Sequence, residues 1–93
     1  MEVNEAKALI ERILRDQITP ARLTQVVVAE DFDSDGDPIL RVRAIYDSSA
    51  PMPEAEKLFS ATAVVRLSLI LDGEQRFPLL CFISSDDAKG MAA

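Results

Sequence analysis

The densest group of reactive side chains in this sequence is Asp31-Phe32-Asp33-Ser34-Asp35-Gly36-Asp37. It contains D-x-D-x-D-G, the opening of a calcium-binding loop, in which carboxylates at positions 1, 3 and 5 converge on one cation and a glycine at position 6 allows the sharp bend. Asp31, Asp33 and Asp35 are the candidate metal ligands. The rest of the pattern is missing. Position 12, which needs a bidentate glutamate, is Val42; position 8 is Pro38; and the flanking runs have the composition of strands, not helices. The plainer reading is a hairpin tip, where Asp and Gly satisfy turn geometry and the charges keep the tip solvated. It is the better supported of the two, so calcium binding is expected to be weak at best.

Paired carboxylates also serve acid–base and metal-assisted hydrolysis. Asp31 and Asp33 share a face if the strand before them continues that far. The enzymatic alternative is therefore a small metal-assisted hydrolase or nucleotide-handling enzyme using that pair. Against it, the chain has no His, the commonest general base near neutral pH and the commonest metal ligand. Cys81 is the only cysteine, so no internal disulfide can form. It lies in the apolar run Leu79-Leu80-Cys81-Phe82-Ile83, where a thiol without a neighbouring base is expected to pack as a small buried hydrophobe. No catalytic residue and no cofactor are assigned, and the expected class is a non-enzymatic protein.

Composition narrows the partners. The chain has 93 residues, 48% hydrophobic and 28% charged, which suits one folded domain spanning 1–93. Four Phe, one Tyr and no Trp leave the core to Leu, Ile, Val and Ala. The net charge is −6. Binding to nucleic acid draws its affinity from neutralising phosphates with Lys and Arg, so this balance argues against it, as it does against anionic membranes. No apolar run approaches the roughly 20 residues of a membrane span. The acidic start Met1–Glu5 lacks the pattern of a signal peptide, so the cytoplasm is the default location. A protein partner, or a second copy of the chain, fits the charge.

The elements that must position these residues follow from periodicity. Val3, Ala6, Leu9, Ile10, Ile13 and Leu14 predict an amphipathic helix to about Gln17, with Asn4 as a cap, Glu11–Arg15 as an i,i+4 pair, and Thr19-Pro20 ending it. Leu23–Glu30 and Ile39–Tyr46 read as two strands joined by the aspartate turn, a hairpin. After the loop Asp47–Pro53, a second helix runs from about Pro53 to Leu71 and closes on Gly73. It is apolar over much of its circumference, the signature of a deeply packed helix. Phe77–Ile83 is a third strand, with Pro78 marking its start or an edge. Residues 88–93 read as a frayed tail.

The fold class is α+β, a two-layer α/β sandwich in the order α-β-β-α-β. Two helices lie on one face of a three-stranded mixed sheet, and the third strand runs parallel to the second across its helical crossover. The opposite face then carries Val27, Ala29, Ile39 and Ile45 with the cations Arg41 and Arg43. Such an uncovered apolar surface often marks a partner contact, and a free sheet edge invites pairing. Val27, Arg41, Arg43 and Ile45 are the candidate partner-binding residues. The alternative is that the terminal segment, including Met91, or the Arg stems shield this face.

The element order resembles one form of the KH module, which clamps nucleic acid with a G-x-x-G loop. No G-x-x-G is present, and Asp47–Pro53 stands in its place. Asp33-Ser34-Asp35-Gly36-Asp37-Pro38-Ile39-Leu40-Arg41-Val42, with Phe77-Pro78-Leu79 and Phe82-Ile83-Ser84, resembles a family of small bacterial proteins of unassigned function, some associated with toxin–antitoxin-like gene pairs. That resemblance covers the hairpin and last strand, carries over no functional residue, and implies a role as a bound partner, in the acidic antitoxin-like sense.

Overall fold

Apolar residues spaced three and four apart near the N-terminus, and alternating residues after them, fold as periodicity dictates. In the computed structural model, which describes residues 1–19 and 22–91 without the side chain of Met91, α1 spans Val3–Gln17 and buries Ala6, Ile10 and Leu14 along one stripe. Its N-cap is Glu2, without a side-chain capping bond, so Asn4 lies inside the helix and not at its start. The Glu11–Arg15 pair forms at 3.9 Å. The helix closes with the Ile18 N–H on the Leu14 carbonyl; Pro20, expected to stop it, lies outside the described residues.

Strands β1 (Leu23–Phe32) and β2 (Pro38–Tyr46) form the antiparallel hairpin, both longer at the turn than expected. After α2 (Ala55–Leu71), β3 (Phe77–Ser84) joins β2 in parallel, giving the order β1-β2-β3. Pro53 sits just before α2, whose N-cap is Glu54. The far end of α2 is closed by a Schellman motif: the Gly73 N–H reaches the Ile70 carbonyl at 3.0 Å and the Glu74 N–H reaches Leu69 at 2.9 Å. Gly73 sits at φ +88°, where an L side chain is strained.

The core is a single cluster between sheet and helices. Ala6, Ile10 and Leu14 of α1 meet Ala61, Val65 and Leu69 of α2 over Leu23, Val26, Leu40, Val42 and Ala44 of the sheet. Leu80 and Phe82 of β3 pack against its margin. The two-layer α+β arrangement holds, with both helices on one face. One element was not anticipated: Ser85–Met91, including part of the stretch read as a tail, forms a short helix α3 against β3 and β2. Residues 92 and 93 lie outside the described residues.

Candidate functional site

At the aspartate turn, the side chains serve the backbone. The Asp33 carboxylate accepts N–H bonds from Asp35 and Asp37, each at 2.9 Å. The Asp33 N–H donates to the Asp37 carbonyl and the Gly36 N–H to the Asp33 carbonyl, with Gly36 at φ +85°. This is a three-residue hairpin loop that needs its glycine and its Asp33. Asp31 is spent differently. It receives the Arg41 Nε at 2.8 Å across the strand pair. That bond, and then the Phe32 N–H, hold its carboxyl below the usual carboxylate range. Asp31, Asp33 and Asp35 are therefore not assembled as one ligand set, and among the described residues no three His, Cys, Asp or Glu side chains are grouped to hold a metal.

The sheet face away from α1 and α2 carries the residues expected there. The register sets Val27 opposite Arg43, Ala29 opposite Arg41, and Gln25 opposite Ile45. Leu79, Cys81 and Ile83 of β3 continue the rows of Arg41, Arg43 and Ile45. The face is not wholly bare: Ala88 and Lys89 of α3 border the same hollow as Val27, Arg43 and Ile45, in the sense of the alternative in which the terminal segment shields it, and Ile39 and Ile83 are buried. Arg41 is tied to Asp31. Cys81, expected to be buried, is exposed on this face.

At the aspartate-turn end of the sheet a charged cluster closes the α2–β3 connection. Arg76 donates to both oxygens of Glu74, at 3.0 and 2.8 Å, to Glu30 at 2.8 Å, and to the Met1 carbonyl. Glu74 is buried. The Arg76 side chain, helped by its backbone N–H, holds the Glu74 pKa at about 2. The open hollow of about 690 Å³ beside it presents a guanidinium already committed to the protein.

The largest departure is α2. A helix apolar over much of its circumference was expected to be deeply packed. Only Ala61, Val65 and Leu69 are fully buried, while Phe59, Leu67, Ile70 and Leu71 are 83%, 59%, 66% and 76% exposed. Phe59, Ala63, Arg66 and Ile70 recur at helical spacing on the side of α2 that overlooks β3. With Leu80 and Phe82, the first three border a groove of about 360 Å³; Arg66 and Ile70 border a smaller one of about 150 Å³ with Phe77 and Pro78. The Arg66 guanidinium lies 4.4 Å over the Phe77 ring, a cation–π contact. Below the grooves runs the free edge of β3, whose eight residues include no charged side chain. From Leu58 to Leu71, Arg66 is the sole charge. This surface was half legible. The apolar residues of α2 are plain in the sequence, but one helix and one small sheet can cover only one side of it.

No protein-family model matches this chain, and no curated protein is matched by it.

Proposed function

We propose that the chain is a non-enzymatic protein-interaction module, docking through the outward stripe of α2 and the adjoining β3 edge. The observation that carries this reading is the second apolar stripe of α2, left in solvent beside a strand edge without charge. Contiguous exposed apolar surface of this kind is characteristic of docking sites, and a free strand edge adds directional backbone donors and acceptors. The net charge of −6 supports the finer reading of an acidic, antitoxin-like partner for a basic neighbour.

The test compares wild type with the double variant Phe59→Glu/Ile70→Glu as baits. Both positions are exposed, so the fold is retained. Wild type is expected to hold a protein partner, its own untagged chain included, that the double variant releases. Identical recovery by both baits, or no retained protein, would overturn the reading.

A further inference from the structure

We infer that the occupant of this surface is a second copy of the chain, its β3 added antiparallel to β3 so that two three-stranded sheets become one of six. The inference rests on reading the α2–β3 surface as a docking site and names its partner. Among the described residues both outer strands of the sheet are free, but they differ in charge. β1 carries Glu30 and Asp31 and leads into Asp33, Asp35 and Asp37 at its turn. Acidic side chains on an edge oppose pairing with a further strand, whereas the β3 edge has no such guard. Pairing β3 with β3 closes the assembly as a two-fold dimer and leaves the acidic β1 edges outermost; pairing β3 with β1 would propagate into a filament.

The register is constrained by Pro78, which has no N–H to donate to a new neighbour. The pairing segment is then Leu79–Ser84, with the two-fold axis near Cys81 and Phe82. An axis normal to the sheet puts both α2 helices on one side, their Phe59–Ile70 stripes facing each other above the joined strands. Thr62 and Ala63 are small enough to admit the approach. The area agrees with this arrangement. Phe59, Ala63, Leu67, Ile70 and Phe77 expose on the order of 500 Å² of apolar side chain. The strand edge and the groove floor of Leu80 and Phe82 carry this toward the roughly 800 Å² per partner of a stable interface.

The sole cysteine provides the test. In this arrangement the two Cys81 side chains sit on the same exposed face, with Cβ atoms about 5–8 Å apart across the axis. Wild type should sediment as a dimer, and a short bis-maleimide, each of whose double bonds adds one thiol, should join Cys81 to Cys81 in native protein. In Phe59→Glu/Ile70→Glu, sedimentation should shift to the monomer and the cross-link should be lost. A wild-type monomer at every concentration overturns the inference. So does a dimer without the Cys81 link, or one that the double variant leaves intact. A monomer that still holds a different protein through the α2 stripe overturns the second copy alone and leaves the interaction module standing.

Discussion

At the scale of single residues, the chain spends its most reactive-looking side chains on structure. Asp33 caps its own turn, so Asp33→Ala removes the acceptor for two backbone N–H groups and should cost about 0.5–1 kcal/mol by denaturant unfolding, because exposed donors can turn to water. Adding calcium should leave the melting temperature of wild type and variant unchanged. Glu74 is the sharper case. Its pKa is depressed from 4.5 to about 2. The stability it contributes is therefore complete above about pH 4.5 and is lost as pH falls through 2. Glu74→Gln should remove on the order of 2–3 kcal/mol at neutral pH and flatten the acid limb of the stability–pH curve. An unchanged acid limb would contradict this role. The turn was readable because Asp and Gly act locally. The Glu74–Arg76–Glu30 cluster was not, because its members are 46 residues apart at the extreme and meet only after β3 has been laid down.

At the scale of elements, α2 is the informative one. Leu69 and Leu67 are two residues apart on the same helix, one fully buried and the other 59% exposed. Leu69→Ala should cost roughly 2–5 kcal/mol, while Leu67→Ala should stay within about 0.5 kcal/mol in the separated chain. Equal costs would mean that the outer face is covered within one chain. Gly73→Ala meets no neighbouring atom. It should still cost about 1 kcal/mol, since the Schellman closure needs a positive φ. Both helices, all three strands and the parallel crossover were legible, because each has its own periodicity and punctuation. α3 was not. Ser-Asp-Asp-Ala-Lys-Gly-Met has no apolar stripe and one internal glycine; its helix packs on β2 and β3, and its first-turn N–H groups donate to Ser84 Oγ and Ser48 Oγ. The open sheet face was legible in its residues, Val27, Arg41, Arg43 and Ile45, and shielding by the terminal segment was the alternative; what was not legible is that this segment covers part of the face as a helix.

At the scale of the whole molecule, 93 residues supply one sheet and two principal helices, enough to cover one side of each. α1 is amphipathic and exhausts its apolar side against the core. α2 has apolar residues left over, and they cluster beside the sheet edge that carries no charge. No helix among the described residues is long and apolar enough to cross a membrane. The proposed reading is that a protein covers the surplus stripe on α2. The most direct measurement is amide hydrogen exchange across a wide concentration range. Self-association predicts that protection rises with concentration at the outward amides of Leu79–Ser84 and along Phe59–Ile70, while β1 exchanges at a constant rate. Exchange in β3 and α2 that is independent of concentration, or protection that grows on β1 instead, would contradict it.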